Sequence, residues 1–313
     1  MEKIKNKKIL IVGGTGFIGT HLVKKCLDIG LKVTSLSLNK RKKEEVFKKA
    51  KYIYADFTKS KLLKKKIKTD FEYIVNLGGY IDHSTHRIKK TKIIKNHFDS
   101  TVNLILLKKK KLKRYIHIGS SDEYGYNKSP IKEDSNENPI SPYALAKSMS
   151  TNLLLTLYNN SNFPVTILRF FLVYGPRQKK DRLIPYVIFN CLNNREILLS
   201  HGKQIRDFCY IEDVVEAIIL CLKNNKSLGQ VFNIGLGKQF SVKQIVKKII
   251  KITGNGKPKF NYFKNKKENL KLYPSIKKIN RKLGWKPKIS IDEGLRRTVN
   301  FFKLNKINNT KLP

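Results

Sequence analysis

Tyr143 and Lys147 stand four residues apart in Ser141-Pro142-Tyr143-Ala144-Leu145-Ala146-Lys147. On a helix that spacing puts both side chains on one face. Pro142 suits the first turn of such a helix, where a missing N–H costs nothing. A phenol beside an ammonium can exchange a proton with a substrate oxygen, because the positive charge favours tyrosinate and lowers the tyrosine pKa towards the working pH. The same pair also describes an ordinary surface helix. Ser120 lifts it above that reading. It ends a strand in Gly119-Ser120-Ser121-Asp122-Glu123-Tyr124-Gly125, and ligands gather at that edge of a doubly wound sheet. Its hydroxyl can hold the reacting oxygen while Tyr143 exchanges the proton. Ser120, Tyr143 and Lys147 are the candidate catalytic residues.

A second pattern lies near the start. Gly13-Gly14-Thr15-Gly16-Phe17-Ile18-Gly19 follows a short apolar run and opens an amphipathic stretch. A tight turn, a close approach of backbone to a pyrophosphate and close helix–sheet packing all require glycine there. The helix N-terminus then offers N–H groups and a positive dipole end to phosphates. Gly13, Thr15, Gly16, Phe17, Ile18 and Gly19 are therefore expected to cradle a dinucleotide. An acid about 20 residues further on would bind the ribose hydroxyls. The second strand instead ends in Ser37-Leu38-Asn39-Lys40-Arg41, without an acid. Ser37 with the cations Lys40 and Arg41 suits a ribose 2′-phosphate, so NADP(H) is favoured over NAD(H). The competing reading is chance, since lysine is so frequent in this chain. Asp56 and Phe57, just past the third strand, are candidates for the adenine end.

These groups need a scaffold that brings strand ends together. Strand-like runs at 8–12, 32–38, 52–55, 73–77, 115–118 and 165–171 alternate with helix-like stretches at 18–27, 42–49, 97–108 and 144–158. That βαβ rhythm predicts an α/β fold: a Rossmann doubly wound parallel sheet with helices on both faces, followed by a smaller C-terminal α/β substrate domain. Residues 1–170 are assigned to the dinucleotide-binding domain, with a returning segment at about 205–235, and 171–313 to the substrate domain. Further helices are expected at 183–192, 214–222 and 242–252. From Gly254 the chain is rich in lysine and asparagine, with Pro258, Pro274 and Pro287.

The formal net charge is +43, which raises the question of a nucleic-acid or anionic-membrane surface. The lysines recur along the whole chain, however, and short runs such as 108–111 and 64–66 sit where helix ends or surface faces are expected. No RNA-binding aromatic signature or zinc-finger spacing accompanies them. Nucleic acid is thus expected to bind only by nonspecific attraction, while phosphorylated substrates would be drawn in. Cys26, Cys191, Cys209 and Cys221 are scattered, form no Cys-x-x-Cys pair and read as buried thiols, with no metal site. No apolar stretch nears the ~18 residues of a membrane span, and the first apolar run reads as a strand, not a signal peptide. A cytoplasmic location is expected.

With these motifs in order, the sequence resembles the extended short-chain dehydrogenase/reductases, the NAD-dependent epimerase/dehydratase group. Beyond the glycine turn and the three candidate catalytic residues, Asn76-Leu77-Gly78-Gly79 matches the strand end that lies beside the dinucleotide, adding Leu77 and Gly78. Asn96 matches an asparagine that precedes the fourth helix. Val173-Tyr174-Gly175-Pro176, Gln204-Ile205-Arg206-Asp207-Phe208, Glu212-Asp213-Val214-Val215 and Leu283-Gly284-Trp285-Lys286-Pro287 match later signatures. The resemblance implies a nucleoside-diphosphate sugar as substrate and a homodimer. It implies that Arg206, with help from Arg182, holds the diphosphate, and that the loop 233–237 lies near cofactor or substrate. A salt bridge of Arg206 to Asp207 or Asp213 is the structural alternative.

Departures from the family pattern bear on the reaction. Its 4,6-dehydratases carry Asp-Glu directly after the catalytic hydroxyl residue; here Ser121 and Asp122 occupy those substrate-facing positions. Its epimerases often place an asparagine before Val-Tyr-Gly-Pro; here it is Leu172. These differences and the missing acid at Ser37 favour a reductase that passes hydride from NADPH to a 4-keto-6-deoxy sugar nucleotide. A 4-epimerase is the alternative. A non-catalytic NAD(P)- or nucleic-acid-binding module is the reading of a different class, and the intact Ser120, Tyr143 and Lys147 count against it.

Overall fold

Lys8–Val12 reads Lys-Ile-Leu-Ile-Val and forms strand β1. Its alternate side chains serve both faces of a sheet. Ile9 and Ile11 join one apolar cluster, with Leu22, Val23 and Ile218. Leu10 and Val12 join another, with Leu36, Leu63, Leu104 and Leu154. A strand buried on both faces reads as a continuous apolar run instead of alternating, and β1 does.

The computed structural model describes residues 4–40, 46–79, 87–107, 111–263 and 269–310, the side chains of 87–90 and 306–310 excepted. After β1 come α1 (Phe17–Asp28), β2 (Lys32–Ser37), β3 (Lys51–Tyr54), α2 (Ser60–Lys66), β4 (Tyr73–Asn76), α3 (Arg87–Ile105), β5 (Arg114–Ser120), α4 (Pro142–Ser161) and β6 (Val165–Phe170). They are followed by β7 (Leu172–Tyr174), α5 (Leu183–Leu192), β8 (Glu196–Leu198), β9 (Ile205–Arg206), β10 (Phe208–Tyr210), α6 (Ile211–Lys223) and β11 (Val231–Ile234). The last elements are β12 (Phe240–Ser241), α7 (Val242–Thr253), β13 (Lys257–Lys259), β14 (Lys271–Leu272), α8 (Lys277–Leu283) and α9 (Ile291–Thr310).

The main sheet has seven strands in the order β3-β2-β1-β4-β5-β6-β11. All six pairings are parallel. The chain steps outward from β1 to β3, then outward again on the other side from β4. The reversal between β1 and β4 opens a crevice at the carboxyl ends of the strands, where such folds bind ligands. The expected doubly wound Rossmann sheet is thus present, and β11 returns to its edge from position 231. The C-terminal region adds three small sheets, β7 with β10, β12-β9-β14, and β8 with β13, and the helices α5, α7 and α9, which pack together. All four cysteines are buried free thiols. Among the described residues no helix is long and apolar enough to cross a membrane.

Three local readings change. The helix expected at 42–49 is absent from its described part: 46–50 is turn and loop, with Phe47 N–H donating to the Tyr52 hydroxyl and Ala50 N–H to Phe47 O. Its charged composition offered no apolar stripe to bury. The lysine-rich tail, conversely, ends in the long helix α9. Asp292 and Glu293 occupy its first turn, and Ile291, Leu295 and Val299 are buried. That four-residue spacing was the available signal. Asn96 lies inside α3 and does not precede a helix.

Two glycines are demanded by geometry. Gly13 has φ +77°, a left-handed value that side chains rarely tolerate. A Cβ on Gly19 would lie 2.1 Å from Gly13 O, so α1 reaches the turn only because that position is bare. Gly19→Ala is expected to lower stability by about 1–3 kcal/mol and to weaken dinucleotide binding; urea unfolding and a fluorescence titration with NADH check both.

Candidate active site

The turn after β1 is tied to β2. Gly13 N–H donates to Leu36 O at 2.7 Å, and Thr15 N–H to the Ser37 hydroxyl at 3.2 Å. Ser37 is only 3% exposed. The sequence reading offers its hydroxyl to a 2′-phosphate; the structure turns it into the glycine turn instead, because the last residue of a strand buried on both faces points inward. Lys40 is exposed and available to an anion, whereas Arg41 lies outside the described residues. Asp56 accepts from both the N–H and the hydroxyl of Thr58 at 3.0 and 2.7 Å. Those bonds hold its carboxyl below the usual range, so it stays ionised and suits an amino donor. Phe57 lies across from Gly78, whose added Cβ would meet its ring at 3.2 Å. Gly78 N–H bonds to Asn76 Oδ1, and Leu77 is half-buried beside the core.

Phe17 and Ile18 open α1, half-buried at the crevice. Gly16 caps that helix without a side-chain hydrogen bond, and no acid stands in the first turn. A bare helix N-terminus beside glycines that exclude every Cβ is an anion cradle. The residues fit the pyrophosphate of a dinucleotide.

At the end of β5 the three candidate catalytic residues converge. Tyr143 and Ser120 are both buried, and the Ser120 hydroxyl lies near enough to the phenol to favour its ionised form. Helix α4 begins correctly because Ser141 caps it, accepting Ala144 N–H, with Pro142 at the first turn. Lys147, one turn on, donates its Nζ to Ile118 O at 2.8 Å and lies 6.0 Å from the centre of the Tyr143 ring. The expected lowering of the tyrosine pKa does not occur in this arrangement. Burial pushes the phenol up, the Asp122 and Glu123 carboxylates push it further, and the Ser120 hydroxyl and Arg182 oppose them. The ammonium is held by a backbone carbonyl. Burial also lowers Lys147 itself, to about 8.

On the substrate side the expected residues separate. Asp122 and Arg182 both act electrostatically on Tyr143, so they border the reacting group. Ser121 is buried beside Ser120. Arg206 donates to Ile205 O at 2.9 Å and reaches Leu270 O at 3.4 Å. Asp207 and Asp213 spend their carboxylates elsewhere. Asp207 accepts from the N–H groups of Leu236 and Lys238 in the loop after β11. Asp213 accepts from those of Lys288 and Ile289.

Comparison with known proteins now bears on this geometry. A model of the NAD dependent epimerase/dehydratase family matches residues 9–235. The chain belongs to that family. It is 32% identical to a putative UDP-glucose 4-epimerase of Methanocaldococcus jannaschii, over 95% of this chain and 99% of that protein. It is 26% identical to the human dTDP-D-glucose 4,6-dehydratase, over 96% of this chain and 91% of the other. Its structure matches the UDP-glucuronic acid 4-epimerase of Bacillus cereus, solved with UDP-glucuronic acid and NAD, at a TM-score of 0.85 and 27% identity, over 95% and 99% of the two chains. The resemblance drawn from the motifs holds, and the chain is an enzyme of the short-chain dehydrogenase/reductase class.

Several residues of this epimerase/dehydratase site escaped the sequence reading. His97 stacks edge-on against Tyr143, ring centres 5.2 Å apart. His117 is buried near Lys147, and burial with that neighbouring charge holds its pKa well below the ordinary range, so it is neutral. Glu123 is fully buried, with Oε1 2.7 Å from Ser120 N. Only Glu123 had a readable signal: Ser120-x-x-Glu123 has the spacing of a capping box, and both of its bonds form.

Ser37→Ala would leave Thr15 N–H without its acceptor. The expected loss is about 1 kcal/mol, hence a roughly fivefold weaker hold on the dinucleotide, measurable by titration calorimetry.

Proposed function

We propose that the enzyme is a nucleoside-diphosphate-sugar 4-epimerase that oxidises and re-reduces one sugar carbon. The observation that carries the chemistry is the buried pair of neighbouring hydroxyls, Ser120 and Tyr143, with the buried Lys147 ammonium one helical turn on. Such a pair handles the proton of a secondary alcohol or ketone and little else. Nicotinamide bound in the crevice would take up and return the hydride. Ser120 orients the sugar oxygen, and Tyr143 takes its proton and gives it back. Arg182 supplies positive charge that a transient phenolate needs, since burial and Asp122 work against it, and the Lys147 ammonium lies beside the ring. Arg182 and Arg206 are the candidates for the diphosphate, which suits a guanidinium fork.

Two points weigh for epimerisation over reduction. The Methanocaldococcus and Bacillus relatives are named as 4-epimerases, and the latter was solved with NAD. Ser37, moreover, is buried and its hydroxyl accepts the Thr15 N–H of the glycine turn. The reductase is the second reading, favoured by the absence of an acid after β2 and by exposed Lys40. Dehydration finds less support. Ser121 lacks the carboxyl that family dehydratases carry there, and Glu123 cannot restore an acid pair one place along, because it points into the protein towards Arg169.

Incubation with NAD and UDP-glucose, UDP-glucuronic acid or UDP-N-acetylglucosamine, followed by chromatographic separation of the 4-epimers, tests the first reading. Consumption of NADPH with a 4-keto-6-deoxy sugar nucleotide, and no epimer from the panel, would replace it with the second. Tyr143→Phe is expected to lower turnover by about 10²–10⁴ and leave dinucleotide affinity unchanged; near-wild-type turnover would remove Tyr143 from the mechanism.

The pH dependence follows from Lys147. Its pKa is depressed from 10.5 to about 8, so the ammonium is present below that value and lost above it. A plot of kcat/KM should therefore fall as pH rises through about 8. Lys147→Arg should lack that limb, because a guanidinium does not titrate there.

A further inference from the structure

Directly behind Ser120 lies a buried cluster of charge that the proton chemistry does not use. Glu123 Oε1 accepts Ser120 N–H at 2.7 Å. Its Oε2 accepts the Thr151 hydroxyl at 2.9 Å and Arg169 Nε at 2.8 Å. Glu123 and Arg169 are 0% and 2% exposed. Arg169 is shared with Glu137, which also accepts from Ser148 and from Asn152 Nδ2, the latter at 2.9 Å. The guanidinium lies 4.5 Å from the centre of the Tyr124 ring, and the Tyr124 hydroxyl bonds to Asn233 Oδ1 on β11 at 2.8 Å. The chain leaves room for this cluster by omitting one side chain: a Cβ on Gly119 would come within 2.4 Å of Glu123 Oε1 and 3.1 Å of Arg169 Cγ.

We propose that Glu123 is a positioning residue for the Ser120–Tyr143–Lys147 site, fixing Ser120 against helix α4 and supplying the negative charge that balances the buried Lys147 ammonium. The positioning is geometric. One carboxylate holds the backbone of Ser120 with one oxygen and Thr151 of α4 with the other, and α4 carries Tyr143 and Lys147. The distance between the two reacting hydroxyls is thereby set from behind. The charge follows by counting. Two carboxylates share one guanidinium, which leaves the cluster net negative beside a buried ammonium. Burial raises the Glu123 carboxyl above its ordinary value, and the Arg169 guanidinium with the Ser120 and Thr151 donors works against that rise and supports the carboxylate. Among the groups acting on Lys147, burial lowers its pKa and Glu123 raises it. The other titratable neighbours do not substitute. His117 on β5 is neutral, His97 on α3 bears on His117, and Asp122 and Arg182 bear on Tyr143.

The assignment rests on reading Ser120, Tyr143 and Lys147 as catalytic, so the first measurement does not need turnover. The 13Cε resonance of Lys147, assigned by its loss in Lys147→Arg, is titrated in the wild-type chain and in Glu123→Gln. Arg169 keeps Glu137 in that variant, which protects the fold. The midpoint is expected to fall by about 1 pH unit; an unmoved midpoint in the folded variant would overturn the charge-balancing role. Should Glu123→Gln not fold, Glu137→Gln takes its place, since it reduces the same net charge at a less buried position; a smaller fall supports the proposal and no change overturns it. The second measurement is the pH profile of kcat/KM on the nucleotide sugar that the wild-type enzyme converts. Removing the Glu123 charge should move the descending limb towards lower pH, because it lowers Lys147. A uniform loss at every pH, with no displacement, marks a merely structural residue. A wild-type chain inactive on all nucleotide sugars would sink the functional reading alone, and the titration would still decide Glu123.

Discussion

The parallel pairing of β5 between β4 and β6 is the constraint on which the site depends. All seven residues of β5 are buried, so its register cannot slip without exposing an apolar face. That register puts Asn76 opposite His117 and Ser120 opposite Phe170. Ser120 therefore leaves the sheet at the carboxyl edge, level with the glycine turn that follows β1. Helix α4 packs across the same strand and lowers Tyr143 and Lys147 onto it. No loop needs to be placed accurately for the three residues to meet.

Burial then sets the chemistry of the groups that meet. Taking an ionisable side chain out of water disfavours its charged form, and here it acts in opposite directions on neighbours. It raises Tyr143, lowers Lys147 to about 8 and keeps His117 neutral. The phenol is thus held as a proton donor, and the ammonium beside it persists at neutral pH but is lost only a little above it. Charges placed around the site correct for this. Arg182 favours the phenolate, and Glu123 favours the ammonium. The proton equilibrium is a balance between the dry interior and a few paired charges, and it is sensitive to each of them.

The large positive charge plays a different part. Most of the lysines are exposed, and few meet a carboxylate because the chain holds only 23 acids against 66 lysines and arginines. The acids are not spread at random. Glu123, Asp207 and Asp213 are buried and hold backbone N–H groups of the β5 end, of the loop after β11 and of the segment before α9. A surface of one sign attracts a doubly charged sugar nucleotide from solution and is screened by salt.

How much of this could be read without coordinates differs from part to part. The glycine turn, the apolar runs of the strands and the Tyr143–Lys147 spacing are local features, set by backbone sterics and by helical and strand periodicity, and they were legible. So were the order of the motifs and the family. What the sequence determined by itself was the scaffold and the cast of residues. The tertiary structure alone decided which way their side chains face. Ser37 is read in sequence as a cofactor contact, and the structure adds that its hydroxyl holds the glycine turn. Lys147 looked like a partner for the Tyr143 oxygen and faces a backbone carbonyl. Glu123 shows in sequence only the spacing of a capping box, and it is a fully buried carboxylate behind the site, paired with Arg169 from a strand 46 residues away. Orientation and desolvation depend on neighbours that are distant in sequence, and electrostatics in a dry interior depends on both, so no local pattern carried that information.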